Sequence, residues 1–345
     1  MTHESESSQL VIEKALFYRS GSFNPYENLA LEEYFFDTLP SHTAMLYLWQ
    51  NRKTVVIGKN QNYLKECRLN ELESDGGFLA RRLSGGGAVY HDDGNVNYTF
   101  LLRREDYDVQ RQLDIIIACL ANLGIATEKS GRNDLVIAAG EYAGCKFSGN
   151  AFHHRGDRCF HHGTLMLYVD EDKLEYYLSP SAGKLETKGI ASVRSRVVNL
   201  QQLQPDLTVE LIAESLEAAF FKEYKQPHAN LDIPLDGFPL IQNYREKFES
   251  PVWKYGQNIP FSLTLEHRFS WGEIEIQFTL KDGIVRDVRV YSDALDSDYI
   301  ESIAPLLMGI PFSRADLMAA LTLIRHGATS HMTEDILDFL ASQEF

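Results

Sequence analysis

Cysteine is scarce in this sequence. There are four (Cys67, Cys119, Cys145 and Cys159) in 345 residues, with no C-x-x-C pair. That usage excludes a disulfide framework and fits free thiols in a reducing compartment. Long apolar runs are also missing. The most apolar stretch, residues 114–125, has 12 residues, short of the ~20 a membrane-spanning helix needs. The start, MTHESESSQ, lacks the basic and apolar regions of a signal peptide and the arginines of a transit sequence. Positive charge is in deficit, with 33 Lys and Arg against 49 Asp and Glu for a net −16. A general nucleic-acid binder would need a broadly basic face. A small anion is not excluded, because its site needs only local positive charge. Repeats and low-complexity segments are absent. The expectation is a soluble cytoplasmic protein with neither a membrane nor a nucleic acid as partner.

What is present is an alternation of strand and helix patterns. The length exceeds what one core usually serves, so a large domain and a smaller one are expected. Residues 1–10 read as a tail, and Asn24-Pro25 opens a helix. Residues 44–49 and 54–57 read as a hairpin around a polar Asn-Arg-Lys turn. Strands are expected at 78–82, 95–102, 135–139, 141–148 and 163–169. Helices are expected at 108–123, with Gly124 as C-cap, at 170–178 and at 208–223. Five prolines break residues 225–260 (Pro227, Pro234, Pro239, Pro251, Pro260), and the periodicity fades there. The boundary is placed between 248 and 249. Beyond it, residues 267–280 and 284–291 form a hairpin about Lys281-Asp282-Gly283, followed by helices near 297–307, 313–325 and 333–342. The fold class is α/β (α+β): domain 1–248 with mixed β-sheets flanked by helices, and a small α+β domain 249–345. From Ser250 on there are 7 basic and 14 acidic residues, an unlikely setting for a phosphate site.

Four segments carry chemistry. The first is RRLSGGGAVYHDDGN, residues 81–95. Gly85, Gly86 and Gly87 let backbone N–H groups approach a ligand and can form an anion nest. Arg81 and Arg82 supply bidentate donors. A turn needing positive φ explains the glycines equally well. Neither a P-loop nor a G-x-G-x-x-G fingerprint is present. The second segment is GRNDL (131–135) with GCKFSGNA (144–151). A lone strand lysine usually lies on a solvated face, but Gly144 and Gly149 beside Lys146 argue for close approach of something there. Asp134 could pair with its ammonium or hold Mg²⁺.

The third segment is CFHHGTLM (159–166), which with His153 and His154 raises the question of zinc. Adjacent histidines project to opposite strand faces, which disfavours it. His162 then caps or orients a loop, and His161 is surface or packing. The fourth is KLETKGIASVRSRV (184–197), with four cations and one Glu up to residue 196. Its apolar centre argues for a loop that closes over an anion rather than a solvated face.

Together these segments resemble the lipoate–protein ligase A family, over nearly the whole chain from Asn24 onward. The first three recur more loosely in lipoyl and octanoyl transferases. The fourth, with the tail and its Trp271-Gly-Glu-Ile-Glu pattern, points to the ligases. The resemblance implies a catalytic fold like that of lipoyl transferases and biotin ligases, with an accessory C-terminal domain. It implies adenylation of lipoate or octanoate by ATP and Mg²⁺, release of pyrophosphate, and acyl transfer to a lysine. The acceptors implied are lipoyl domains of 2-oxoacid dehydrogenase E2 subunits and glycine-cleavage H protein. A monomer with no tightly bound prosthetic group is expected.

Residue by residue, Lys146 matches the family's catalytic lysine. Arg82, Ser84, Gly85, Gly86 and Gly87 line the adenylate phosphate and acyl tunnel. Asn133 and Asp134 position Lys146, Mg²⁺ or phosphate. His91, His162, Gly163, Thr164, Ser148, Gly149 and Ala151 match pocket positions. Trp49, Val89 and Tyr90 suit the acyl chain, although as large apolar residues they equally suit a core. Lys188, Ser192 and Arg194 fold over the adenylate. Two rivals remain: an octanoyltransferase with Cys145 or Cys159 as nucleophile, and a binding protein without turnover. A biotin ligase fits less well, since its Gly-Arg-Gly-Arg type loop is missing.

Overall fold

The computed structural model describes residues 12–131, 133–178, 197–226, 229, 231, 238–256, 260–324 and 330–343. In chain order the elements are β1 (Lys14–Arg19), α1 (Pro25–Thr38), β2 (Thr43–Trp49), β3 (Thr54–Ile57), α2 (Tyr63–Glu66), α3 (Leu69–Ser74), β4 (Phe78–Arg81), β5 (Val89–His91) and β6 (Asn95–Arg103). A 3-10 turn (Arg104–Asp106) leads to α4 (Val109–Asn122), β7 (Thr127–Ser130), β8 (Asp134–Ile137), β9 (Lys146–Arg155), β10 (Arg158–Met166), α5 (Glu171–Tyr177) and α6 (Val209–Tyr224). Then come α7 (Pro239–Glu249), α8 (Pro251–Tyr255), β11 (Leu263–Phe269), β12 (Gly272–Lys281), β13 (Ile284–Ser292), α9 (Ser297–Leu307), α10 (Arg314–Leu321) and α11 (Ser330–Ser342).

Two compact units divide the chain, and neither is continuous in sequence. One takes Met1–Lys53, His91–Glu171 and Ala191–Lys247; the other takes Thr54–Tyr90, Asp172–Ile190 and Phe248–Phe345. The first is built on a seven-stranded mixed sheet in the order β1-β2-β6-β10-β9-β8-β7. Only the β1–β2 pair is parallel among these neighbours. Strand β2 is buried along its whole length, so its alternate residues serve two layers. On one face Leu46 and Leu48 join Phe100 and Leu165 in one apolar cluster with Ile116 and Leu120 of α4 and Phe220 of α6. On the other face Phe35 and Phe36 of α1 meet Tyr47 and Phe160, with ring centroids at 5.2 and 5.5 Å. Asn24 starts α1 by accepting from the Tyr26 N–H at 2.9 Å, with Pro25 in the first turn. Gly124, at φ 81°, follows α4 as its spacing predicts.

The second unit contains two three-stranded sheets, β4-β3-β5 and β11-β12-β13. The expected turn between β12 and β13 is present, with Asp282 and Gly283 at φ 54° and 73°. Ile274, Phe278, Val285, Ile300, Leu317 and Ile336 anchor the core that α9, α10 and α11 share with this hairpin.

Two expectations are corrected. Residues 44–49 and 54–57 do not form a hairpin: β2 joins the seven-stranded sheet, and β3 pairs in parallel with β4. Both strands are wholly buried, so each requires neighbours of its own, and adjacency in sequence did not decide pairing. The prolines of 239 and 251 do not break structure but open α7 and α8. Ser250 accepts from the Trp253 N–H at 3.3 Å with Pro251 just inside the helix, where a missing N–H costs nothing.

Candidate active site

Lys146 owes its orientation to an irregularity in pairing. Strand β9 begins at Lys146, so the expected strand over 141–148 starts five residues late, after a turn. Asp134 pairs with Gly149 and Leu135 with Ser148, but Val136 pairs with Lys146. One extra residue, Phe147, is accommodated there, which is a bulge. In a regular strand residues three apart face opposite ways. The bulge cancels that alternation and puts Lys146 on the face of Gly149 and Asp134. The Lys146 ammonium lies 2.6 Å from Asp134 Oδ1, and the two side chains are 37% and 36% exposed. A Cβ on Gly149 would stand 3.0 Å from Lys146 Nζ and 3.2 Å from its Cε. The close approach inferred from the flanking glycines is therefore that of the lysine itself, at Gly149.

The register continues this face across the sheet. Gly149 donates its N–H to Thr164 Oγ1 at 3.2 Å. Thr164 pairs with Asn97 and His162 with Thr99, which stand opposite Trp49 and Tyr47. Trp49 Nε1 donates to Thr99 Oγ1 at 3.0 Å, and Thr99 donates to Glu32 Oε1 at 2.7 Å. His162 Nδ1 donates to the same Glu32 oxygen at 2.9 Å. His162 thus sits in mid-strand and orients on α1, rather than capping a loop as the sequence suggested. Asn28 Nδ2 donates to Asn51 Oδ1 at 3.0 Å, which leaves Asn51 Nδ2 to donate to His91 Nδ1 at 3.2 Å. That fixes the His91 proton on Nε2. His91 meets Trp49 edge-on, at 6.1 Å between centroids. Ala151 is buried on this same face by its pairing with His162.

Ser148 and Gly163 face the other way, toward α4. Tyr98 Oη lies 3.3 Å from Ser148 Oγ and donates to Asn150 Oδ1. His161 Nε2 donates to Asn150 Oδ1 at 2.8 Å, and His161 Nδ1 lies 3.0 Å from the Gln112 carboxamide. His161 is fully buried, and that burial pushes its pKa down to about 3, with His162 and Lys129 acting in the same direction. A Cβ on Gly163 would collide with Tyr98 and Asn150. Asn133 donates to the Asn150 carbonyl at 2.8 Å and accepts from its N–H at 2.9 Å. These residues support the face that Lys146 occupies without standing on it.

The glycine-rich loop belongs to the second unit. Arg82 is 6% exposed and donates to Ser84 Oγ at 3.0 Å and to the carbonyls of Val56, Gly85 and Gly87 at 3.2, 2.7 and 2.8 Å. Arg81 donates to the carbonyls of Gly58, Lys59, Gln61, Trp253 and Lys254. The Gly86 N–H donates to the Ala294 carbonyl at 3.0 Å, and a Cβ on Gly85 would strike the backbone at Ala294 and Leu295. Of the two readings the sequence offers for these glycines, the turn accounts for two: close backbone packing explains Gly85, and a positive φ of 90° explains Gly86, whose N–H is engaged within the fold. Gly87 faces open space. Val89 is partly buried, and Tyr90 packs against Tyr177 at 5.4 Å. Lys188, Ser192 and Arg194 lie outside the described residues.

Glu32, Thr99, Tyr98 and Asn150 were missed in the sequence. The available signal was the NLALEE run of α1, which buries Glu32 at 0% exposure. As for Mg²⁺, Asp134 supplies one carboxylate already paired with Lys146. That donor set suits a Mg²⁺ carried by nucleotide phosphates rather than held in a protein cage. Three of the four thiols are poor nucleophiles. Cys67, Cys119 and Cys159 are buried, and burial raises them to about 12, 11 and 11.

Comparison with known proteins accords with this arrangement. The lipoyl protein ligase A/B catalytic domain matches residues 24–221, and the bacterial lipoate protein ligase C-terminus matches residues 258–340. Lipoate-protein ligase A of Blochmanniella pennsylvanica (strain BPEN) is 40% identical over 302 residues, 87% of this chain and 89% of that protein. The protein of the same name from Blochmanniella floridana is 39% identical over 297 residues, 85% of this chain and 88% of that one. The crystal structure of P. falciparum LipL1 in complex with lipoate superposes with a TM-score of 0.83 at 26% identity, covering 95% of this chain and all of that one. Fold and matched segments define an enzyme of the lipoyl ligase and transferase class. Within that class, the chain belongs to the lipoate–protein ligase A family.

Proposed function

We propose that Lys146 carries the activation step of a two-step lipoate–protein ligase. The lipoate carboxylate attacks the α-phosphorus of Mg·ATP, giving lipoyl-AMP and pyrophosphate. The ε-amine of an acceptor lysine then attacks the acyl carbonyl, loses a proton and releases AMP. The first step brings two anions together, so a fixed cation that bridges them lowers the barrier. The observation that supports this role is the bulge that turns Lys146 onto Gly149, beside Asp134 at 2.6 Å. Asp134 holds the ammonium in place and offers an oxygen to the Mg²⁺ that arrives with the nucleotide.

On the same face, Trp49, His91, Ala151, His162 and Thr164 line the acyl slot, with Glu32 fixing His162 and Thr99. By the family resemblance, Ser84, Gly87 and Val89 of the glycine-rich loop bind the adenylate. Residues 249–345 act as the accessory domain. Among the described residues no helix is long and apolar enough to cross a membrane. The enzyme works as a cytoplasmic monomer, and its acceptors are lipoyl domains and H protein.

The test is ATP–pyrophosphate exchange with lipoate, octanoate and biotin offered separately. Exchange should depend on lipoate or octanoate and disappear in Lys146→Ala. Exchange that persists in that variant sinks the proposal.

A further inference from the structure

One group of side chains in the first unit takes no part in this chemistry. We propose that His42, Glu105 and Asp106 form a binding site for a divalent cation of the zinc class. His42 lies just before β2, and Glu105 and Asp106 lie in the 3-10 turn that follows β6. Strands β2 and β6 are antiparallel neighbours, with Met45 opposite Leu101. The entry to one and the exit of the other therefore meet at the same end of the sheet. The main chain at His42 is held there by the N–H groups of Glu13 and Lys14, which donate to its carbonyl at 2.9 and 3.3 Å.

His42 Nδ1 stands 3.7 Å from Glu105 Oε1 and 3.7 Å from Asp106 Oδ2. All three ligand atoms lie within 4.8 Å of one another. Those separations are too long for hydrogen bonds. They lie close to the edge of about 3.3–3.6 Å that a tetrahedral ion with bonds of about 2.0–2.2 Å imposes on its ligands.

A second observation is independent of this spacing. The Asp106 side chain is 1% exposed, and among the described residues neither carboxylate oxygen has a hydrogen-bond partner. A buried carboxylate in that condition calls for a cation. Two carboxylates balance a dipositive ion, and the imidazole selects zinc-like metals over Ca²⁺ and Mg²⁺, which prefer oxygen alone. His42 and Glu105 are 47% and 56% exposed, which leaves a side open for water as a fourth ligand. A bound ion would clip the two strand ends together.

The full-length chain, stripped of metal by a chelator, is titrated with Zn²⁺ by calorimetry and with Co²⁺ by visible absorption. One equivalent should bind, with the d–d bands of four-coordinate Co²⁺ and a Zn²⁺-dependent rise in Tm. His42→Ala and Asp106→Asn should weaken binding by more than the roughly 10–100-fold that loss of an outer-shell partner costs. Should Asp106→Asn fail to fold, Glu105→Gln, at an exposed position, should still weaken binding. Absence of binding to the wild-type chain overturns the proposal, as does unchanged affinity in His42→Ala and Glu105→Gln. Loss of the ion in Asp134→Asn with retention in His42→Ala would assign it to the Lys146 site and overturn the proposal as well.

Discussion

The segment at Arg81-Arg82 and the segment at Lys146 look alike in sequence: cations beside glycines in a strongly acidic chain. Their side chains are employed in opposite ways. Both arginines are 6% exposed and donate to carbonyls of their own unit, and burial lowers Arg81 to about 10. Lys146 is 37% exposed and meets one carboxylate. A guanidinium has five N–H donors in a rigid fork and can hold several carbonyls at once, whereas an ammonium is a compact charge that can be redirected. The first segment secures a loop. The second leaves a cation partly exposed beside a single carboxylate.

Removing each cation tests the contrast. Lys146→Ala should slow lipoate-dependent pyrophosphate exchange by at least about 10²–10³, the usual effect of deleting one donor that stabilises transition-state charge. Its urea midpoint should barely move, because an exposed pair such as Lys146–Asp134 contributes only ~0–1 kcal/mol. Arg82→Ala should instead lower stability by about 3 kcal/mol, since several buried carbonyls lose their donor at ~1–3 kcal/mol each. Arg82→Lys should recover little of it. An Arg82→Ala protein with an unchanged urea midpoint would break the comparison.

The two sheet faces around Lys146 differ in the same way, and pH separates them. His161 is held near 3 against an ordinary 6.5. The folded chain therefore refuses a proton that the unfolded chain accepts. The resulting stabilisation is complete above pH 6.5 and is lost as pH falls toward 3. By about pH 5 the loss should reach about 2 kcal/mol, at ~1.4 kcal/mol per pH unit. Urea unfolding at about pH 7.5 and about pH 5 should show it, and His161→Gln should flatten the difference. An equally steep profile in that variant would remove His161 as the cause.

Local signals in the sequence were reliable where the cause was local. The Asn24-Pro25 start of α1, Gly124 after α4 and the Asp282-Gly283 turn each follow from one residue's backbone or capping preference. Pairing was harder to read. Apolar runs at 44–49 and 54–57 reveal burial but not partners, so the sequence suggests a hairpin where the two strands belong to different sheets. The site was legible in its residue types and not in its facing. Lys146, Asp134 and Gly149 could be named, but the bulge at Phe147 that puts them together is a property of register. For the same reason the sequence does not reveal that Ser148 and Gly163 look toward α4, away from the face of Lys146. Glu32 was invisible because a glutamate in a helix is normally solvated, and its burial depends on Thr99 and His162, far away in sequence.

The smallest effect compares the same substitution on the two faces. Gly149→Ala places a methyl 3.0 Å from Lys146 Nζ, the tip of a flexible side chain. The backbone at Gly149 is not among the positive-φ positions, so alanine brings no main-chain strain. It also restricts the unfolded chain, which favours the folded state by ~0.4–1 kcal/mol. Stability should therefore hold or rise slightly. The ammonium, however, must move by a few tenths of an ångström relative to Asp134. Since a misplacement of about 1 Å can cost 10²-fold in rate, pyrophosphate exchange should fall by about 3–10-fold. Gly163→Ala makes the same change against Tyr98 and Asn150, both fully packed. It should cost ~1–3 kcal/mol in stability, and any loss of exchange should follow the loss of folded protein. Urea unfolding and exchange assays on both variants separate the two faces. If Gly149→Ala lost stability at undiminished exchange, Gly149 would be a packing glycine and the room it leaves for Lys146 would have no catalytic meaning.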